Sequence, residues 1–551
     1  MLNEWIVTLH RKEDLDSFYD DMETAGGNLF IPDRAVDISK RRPISRNTHY
    51  MLTDDEVLLI KSDDRVWDAE LAELTDLLTK PTGWSVVNNK FSKDWNTDAT
   101  DVNWGLLRHS EDSNRNNWGA NGTTNITDSL TVTSSGKNVD VVIVDGHVDP
   151  AHPEFAVNSD GSGGSRVNQF NWLSLTSAVT GGSNGTYTYD RSGSYTNVAD
   201  ASDNNHGAHC AGTVAGNTQG WARDATIYNI SPYGSNPNSL SSSVMWDYIR
   251  QWHNTKPINP VTGRRNPTVT NNSYGSGIKP GQDAFGYVTR INYRGVDFNP
   301  GRDLTQAELQ VRGCYAPTAN KEMAFPYYST SRQADQQDAI DDGILIIASA
   351  GNDSWKTVNS SDQDYGNTCY VTYNGSNYSW FLHRGTGSGA GYAPIINVGA
   401  TSNDVNEDKA NFSNCGNQVD IFAAGEGIQS SLHSTGIADA RNGAYDLGKY
   451  QGTSMSGPQV AGVVAILAEG WPNITQSEAQ SWLINNSNTD QMADTETDDP
   501  MDRDSMQGAA NRYLRWINQR PVSGTSFPQR NFKSRPTSGV TYPRARIRRR
   551  G

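Results

Sequence analysis

The chain has 551 residues, with 46 Lys and Arg against 62 Asp and Glu, a formal charge of −16, which excludes a surface that grips nucleic acid or anionic lipid along its whole extent. Hydrophobic residues at 35% and charged residues at 20%, with 15 Trp, 23 Tyr and 13 Phe, exclude a disordered chain. No apolar run approaches the roughly 18–20 residues that cross a bilayer, so no membrane span or membrane partner is expected.

In chain order, residues 4–10 (EWIVTLH) predict a strand, and Leu15, Phe18, Tyr19 and Met22 fall at the spacing of one helical face. Thr53 and Glu56 form a capping box ahead of a second apolar helix, and Val66-Trp67 open another strand. Residues 1–75 therefore read as a small αβ domain, and 76–103 as a polar, exposed linker. The start of the chain has neither a basic n-region nor an apolar h-region. That predicts no signal peptide, and a cytoplasmic or virion-associated location rather than classical secretion.

Beyond residue 137, the segments 138–145, 225–231, 267–273, 344–351 and 393–400 are apolar on both faces. They predict an α/β domain with a doubly wound, mostly parallel sheet, spanning 104–490. Residues 276–332 and 354–392 are too long and polar for plain crossovers and read as insertions. Residues 491–551 read as a C-terminal extension, acidic near 494–504 and ending in a basic tail that includes Arg544, Arg546, Arg548, Arg549 and Arg550. Such a tail is either a solvated end or a short contact for nucleic acid or an acidic partner. Cys210, Cys314, Cys369 and Cys415 form no CxxC pair, which excludes a zinc ribbon and leaves disulfide pairing open.

Four segments carry chemistry. In GTSMSGPQVAG (452–462) a small-residue turn runs into an apolar helix, so Ser454 sits at a helix N-terminus, where N–H groups and the dipole favour negative charge. The plain alternative is an N-cap. In NHGAHCAG (205–212) His206 opens a helix among small residues and is suited to take a proton from a serine; the alternative is a structural or metal-binding pair with His209. Asp145 ends an apolar strand, at the carboxyl edge where open α/β sheets place their chemistry. Asn352 follows a glycine after another such strand, and its amide is a candidate donor to an oxyanion or an ordinary turn residue.

Together the four are more specific. The order Asp145, His206, Ser454 is that of subtilisin. With HGAHCAG and GTSMSGPQVAG, and with NWGLLRHS (103–110), SYG (273–275), ASAGN (348–352) and ANFSNCGNQVDIFAAG (410–425) in sequence, the chain resembles the subtilisin-like serine peptidases (subtilases). The similarity is strongest to their proteinase K branch and covers most of 104–486. Residues 1–75, above all YMLTDDEVLLIKSDDRVWDAEL (50–71), resemble the family's inhibitory propeptide.

The resemblance implies a serine endopeptidase acting on protein or peptide substrates, with Asp145, His206 and Ser454 as its catalytic triad and Asn352 with the Ser454 N–H as its oxyanion hole. It implies that Ser273, Tyr274 and Gly275 offer an exposed strand edge to extended substrate, and that Ala348, Ser349, Ala350 and Gly351 wall the primary side-chain pocket. It implies an α+β, ferredoxin-like propeptide domain that inhibits its own enzyme until self-cleavage between about 72 and 104. A structural Ca²⁺ is expected with no ligands assigned, and no catalytic cofactor. The family's hydroxyl residue after the acid is absent here, where the sequence reads Asp145-Gly146-His147, and the usual His in the serine motif is Gln459. The rival expectation is a catalytically silent structural or binding protein on the same scaffold, associated with a particle.

Overall fold

The computed structural model describes residues 3–31, 42–72, 103–112, 134–180, 205–232, 244–275, 288–299, 328–373, 376–385, 394–404, 406–494 and 504–517, with short pieces between them. Most of the expected linker and the basic tail after 517 lie outside the described residues.

The N-terminal unit is a four-stranded antiparallel sheet in the spatial order Ile38–Lys40, Asn47–Leu52, Asn3–Leu9, Val66–Leu71. Helices Leu15–Glu23 and Asp54–Ile60 complete the βαββαβ order of a ferredoxin-like fold. The expected apolar face forms as read: Leu15, Phe18, Tyr19 and Met22 are buried against Val7, Tyr50 and Leu52. Thr53 and Glu56 close their capping box, Thr53 N donating to Glu56 Oε2 at 2.7 Å.

The larger unit is built on an eight-stranded sheet. From one edge it runs Thr226–Ile230, Asp140–Val144, Thr268–Asn272, Ile344–Ser349, Ile396–Thr401, Ile421–Ala424, Arg512–Tyr513, Asn488–Thr489, parallel except for the last pair. The five apolar segments are all strands of it. Alternate residues face opposite sides, as the two-residue period requires. Val141, Ile143, Leu345 and Ile347 pack under helices His206–Ala215 and Thr453–Gly470. Val142, Val144, Ile344 and Ile346 pack under helix Met245–Thr255 and Ala339 of helix Thr330–Asp341. Both faces are covered, which is why the strands are apolar throughout. Strand order reverses at Asp140–Val144, whose sequence successor lies on one side and the next strand on the other, so Asp145 leaves the sheet at its switch point.

Two expectations change. The boundary at 490 is too early: Arg512–Tyr513 pairs with Ile421–Ala424, Leu514 N donates to Phe422 O at 2.8 Å, and Tyr513, Leu514 and Trp516 are buried. The two insertions are also not separate decorations. Val288–Tyr293 and Val296–Phe298 from the first join Thr368–Tyr373 and Ser376–Phe381 from the second in one antiparallel sheet with its own core.

The two units meet across helices Met245–Thr255 and Thr330–Asp341. Arg42 donates from Nε to Asp247 at 2.7 Å and from Nη2 to Asp335 at 2.8 Å, all three groups buried. Asp335 also accepts from Ser45 Oγ and Asn47 Nδ2, each at 2.9 Å. Glu70 sits at the start of helix Thr330–Asp341, accepting from Thr330 N at 2.7 Å, Ser331 N at 3.2 Å and the hydroxyls of Ser329 and Ser331 at 2.9 and 2.8 Å. A carboxylate there fills orphan donors and suits the positive end of the helix. Burial pushes the Glu70 carboxyl above its usual range, and Asp68 adds to that, against the pull of those bonds.

A chain ended after residue 517 is expected to melt close to the full chain. One ended after 490 loses the buried Tyr513, Leu514 and Trp516, about 1.5–3 kcal/mol each against a total of about 5–15 kcal/mol, and is expected not to fold; thermal melts followed by circular dichroism check both. Arg42→Ala leaves Asp247 and Asp335 buried without their cation, a cost on the order of 3–5 kcal/mol. Amide hydrogen exchange across Asn47–Leu52 and Thr330–Asp341 is expected to rise, and unchanged exchange would contradict the interface.

Candidate active site

Asp145, His206 and Ser454 come from a strand end and two helix starts that converge at the carboxyl edge of the sheet. His206 is the first residue of its helix, and the second, Gly207, lies so close to the chain after Asp145 that a built Cβ would overlap Gly146 O. This contact brings His206 Nδ1 within 2.8 Å of Asp145 Oδ1, both side chains fully buried. A carboxylate oxygen only accepts, so Nδ1 carries the proton and the basic lone pair falls on Nε2. Oδ1 also accepts from Gly146 N at 2.7 Å, whereas Oδ2, buried too, has no partner among the described residues. The missing hydroxyl after the acid thus has a structural counterpart: one oxygen is held and the other is not.

Ser454 is the second residue of helix Thr453–Gly470, entered through Gly452 at φ 147°, a conformation that excludes a side chain. Pro458 stands in the same helix and lacks the N–H that would bond the carbonyl four residues back, which is Ser454 O. Two other donors take that carbonyl, Ser273 Oγ at 3.1 Å and Cys210 Sγ at 3.3 Å. Cys210 Sγ is also 3.9 Å from His206 Nδ1, so one thiol touches both the base and the serine segment. It is the buried packing thiol rather than an exposed reactive one. The Ser454 hydroxyl donates to Ser273 O at 3.4 Å, a long and weak bond.

Asn352 is placed by the same turn. Its Oδ1 accepts from Thr453 N at 2.8 Å and Thr453 Oγ1 at 2.7 Å, which fixes the amide; its Nδ2 is buried and has no partner among the described residues. A buried donor without an acceptor is costly and marks a place for a ligand atom. The N–H of Ser454 lies in the helix's first turn, where donors have no intrahelical acceptor.

Ala348 and Ser349 end strand Ile344–Ser349, Ala350 and Gly351 follow it, and all four are buried, while Ser273, Tyr274 and Gly275 follow the neighbouring strand. The expected exposure of the latter three is corrected: Ser273 and Tyr274 are fully buried, Tyr274 Oη bonding Asn272 Oδ1 at 3.1 Å, and only Gly275 is partly open. The apolar core under the sheet needs the tyrosine ring, so main chain alone forms the rim there.

Three supporting residues were not anticipated. Gly387, at the end of the second insertion, donates to Ala350 O at 2.9 Å, and its main chain lies against the position a Cβ on Gly275 would occupy, so it stands between the two segments. Asn414 donates from Nδ2 to Ala350 O at 2.7 Å and accepts from Asp353 and Trp355 N–H groups, bracing the turn that carries Asn352. Gln459 donates to Asn103 Oδ1 at 2.7 Å and accepts from Trp221 Nε1 at 2.8 Å, fastening the serine helix to the start of the unit. Gly387 and Asn414 stand in loop-like sequence with no periodic signal. Gln459 was visible only as a departure.

His209, the alternative metal partner of His206, instead donates from Nε2 to Ile428 O at 2.8 Å and stacks on Tyr450; burial pushes it down to about 3, so it stays neutral. Among the described residues, the grouping of His, Cys, Asp or Glu close enough to share an ion is Asp145, His206 and Cys210. Nitrogen and sulfur donors in that set do not suit Ca²⁺, which takes six to eight oxygens. That cluster is therefore not suited to calcium.

A family model described as the subtilase family matches residues 136–509. The extracellular serine proteinase of Thermus sp. (strain Rt41A) is 24% identical over 283 residues, 51% of this chain and 45% of that protein. The subtilisin of Bacillus pumilus is 30% identical over 164 residues, 30% of this chain and 46% of its own length. The chain thus spans less than half the length of either relative. The crystal structure of fervidolysin from Fervidobacterium pennivorans, a keratinolytic enzyme related to subtilisin, aligns at 17% identity over 93% of this chain and 60% of that one, with a TM-score of 0.49. By the extent of the family match, this chain belongs to the subtilase family.

Proposed function

We propose that the chain is a serine endopeptidase that hydrolyses peptide bonds through Asp145, His206 and Ser454 and is made as a self-inhibited precursor. The observation that carries this is the buried 2.8 Å bond between His206 Nδ1 and Asp145 Oδ1, which leaves Nε2 as the base. In the proposed reaction His206 takes the Ser454 proton as Oγ attacks the peptide carbonyl, and Asp145 stabilises the imidazolium that forms. The oxyanion is received by Asn352 Nδ2 and the Ser454 N–H. His206 then protonates the leaving amine, and water hydrolyses the acyl-enzyme by the same route in reverse. Extended substrate would run along the main chain at Gly275, with its side chain toward Ala348–Gly351 and Gly387.

The N-terminal unit would serve as intramolecular inhibitor and folding template, cut away between about 72 and 104. Its seat on two helices that flank the sheet, with Glu70 capping one of them, supports that role. The silent-scaffold alternative draws on Asp145 Oδ2, the unpartnered oxygen. Against it, Oδ1 alone already holds the imidazole in place.

Intact-mass measurement over time on the full chain beside Ser454→Ala tests the reading: the wild type is expected to lose its N-terminal unit and to react with a fluorophosphonate, and the variant to do neither. Stability of both chains together with an unlabelled wild type would sink it. Asn352→Leu is expected to lower kcat by about 100- to 1,000-fold with little change in KM, since the amide acts only on charge that develops in the transition state; steady-state kinetics on a fluorogenic peptide checks this.

A further inference from the structure

The residue before the catalytic histidine has an unusual conformation and an unusual set of partners. Asn205 lies at φ 63°, ψ 5°, and its carbonyl accepts the first bond of the helix from His209 N at 2.9 Å. Asparagine is among the few side chains that tolerate this left-handed region, and glycine adopts it at no steric cost. At a helix start the Asn side chain ordinarily caps the first turn, yet here it makes no capping bond. It turns instead to the tip of a small three-stranded sheet more than two hundred residues downstream, where residues 433–436 connect strand Ile428–Leu432 to strand Ile437–Asp439. Oδ1 accepts from His433 N at 2.8 Å and Ser434 N at 3.2 Å, and Nδ2 donates to Ser434 O at 3.0 Å. Thr435, next along the tip, stands at φ 73°. A β-branched residue there is strained and persists only where its surroundings hold it.

That sheet, strands Ile428–Leu432, Asn442–Tyr450 and Ile437–Asp439 with Asn442–Tyr450 in the middle, touches all three segments that carry Asp145, His206 and Ser454. It runs directly into Gly452 and the serine helix. Its base grips the histidine helix through Ser430 Oγ to His209 O at 2.8 Å and Ser431 Oγ to Ala208 O at 2.7 Å. Its middle strand reaches the loop after the acid, where Tyr445 Oη donates to Asp149 Oδ2 at 3.2 Å. Asn205 ties the tip to the one residue whose backbone sets the direction of the His206 side chain.

We propose that Asn205 is a positioning residue: its amide locks the start of the histidine helix to the connection at 433–436, so that His206 keeps its line between Asp145 and Ser454. The inference rests on the peptidase reading. An asparagine present only to tolerate the left-handed backbone would have no use for four bonds to a distant strand connection, the fourth from Nδ2 to Thr435 Oγ1 at 3.4 Å.

The test uses the full chain and reads the first-order rate of self-processing by intact mass over a pH series, or the rate of fluorophosphonate labelling of Ser454 where no processing occurs. Asn205→Gly keeps the backbone conformation and removes the amide; Asn205→Asp keeps the acceptor for both N–H groups and loses the donor. We expect Asn205→Gly to slow the reaction about 10- to 100-fold, the penalty of a misplaced catalytic group, with a displaced pH profile and an unchanged melting temperature, and Asn205→Asp to fall between it and the wild type. A Gly variant with the wild-type rate and profile would falsify the proposal. Should that variant fail to fold, the Asp variant decides alone: a slower rate with a displaced profile supports positioning, and an unchanged one overturns it. A wild type that neither processes nor labels removes the peptidase reading and this one with it, whereas a reactive wild type matched by its variants removes only the positioning role.

Discussion

The close approach of Gly207 to Gly146 is the constraint on which the site depends. An acid on a strand and a base on the following helix can share a hydrogen bond only if the helix begins almost on the strand's exit, and any Cβ at 207 would overlap a carbonyl that cannot move without dragging Asp145. The same economy of volume recurs along the helix. A Cβ at Gly212 would overlap Ser430 and Ser431 side chains, and one at Gly462 of the serine helix would press into Trp221. Small residues in both helices let two rigid rods and a small sheet meet at one point. Interiors packed this tightly do not yield by fractions of an ångström without cost, so the distance between base and acid follows from the backbone rather than from side-chain choice.

Within that frame polar groups decide the chemistry. Pro458 frees the carbonyl of Ser454, and Ser273 and Cys210 take it up, which holds Ser454 by its backbone while its hydroxyl stays weakly tethered. Asn352 is fixed through its oxygen so that its nitrogen can be spared. Buried polar atoms are normally satisfied. Two that are unsatisfied among the described residues, Asp145 Oδ2 and Asn352 Nδ2, stand at opposite ends of the proposed reaction path. The amide has an evident use in receiving charge. The carboxylate oxygen has none in the resting arrangement, and it sits where the chain has glycine in place of a hydroxyl residue.

Much of this was legible in the sequence because its signals are local. Strands apolar on both faces announce a covered parallel sheet, and a capping box lies within four residues, as Thr53 and Glu56 do. Asp145, His206 and Ser454 stood out as candidates through motif and order. The features that were missed depend on pairing across long separations. Arg512–Tyr513 is a strand only because Ile421–Ala424 offers it an edge, and two residues carry no period of their own. The two insertions look like separate polar loops, yet Val288–Tyr293 finds its partner in Thr368–Tyr373. Nothing in the sequence assigns a role to Asn205 or Asn414, and what distinguishes them is the partner each side chain reaches. Tyr274 was misjudged for the opposite reason: its motif suggests an open edge, and the core beneath claims its ring.

The interface between the two units carries a consequence for how they would part. Asp247 and Asp335 stand buried on neighbouring helices with Arg42 between them. A buried ion pair adds little net stability once desolvation is counted, although removing one partner is costly. Such a seam therefore discriminates against a wrong partner more than it holds the right one. While the units share one chain, the effective concentration of the N-terminal unit at its seat is on the order of millimolar, and contacts of modest strength keep it there. A cut between the units abolishes that advantage, and water can then solvate both carboxylates as the helices are uncovered. On the proposed reading, the same nearly balanced charges that guide docking during folding make departure cheap after cleavage, and the peptide bond is the lock.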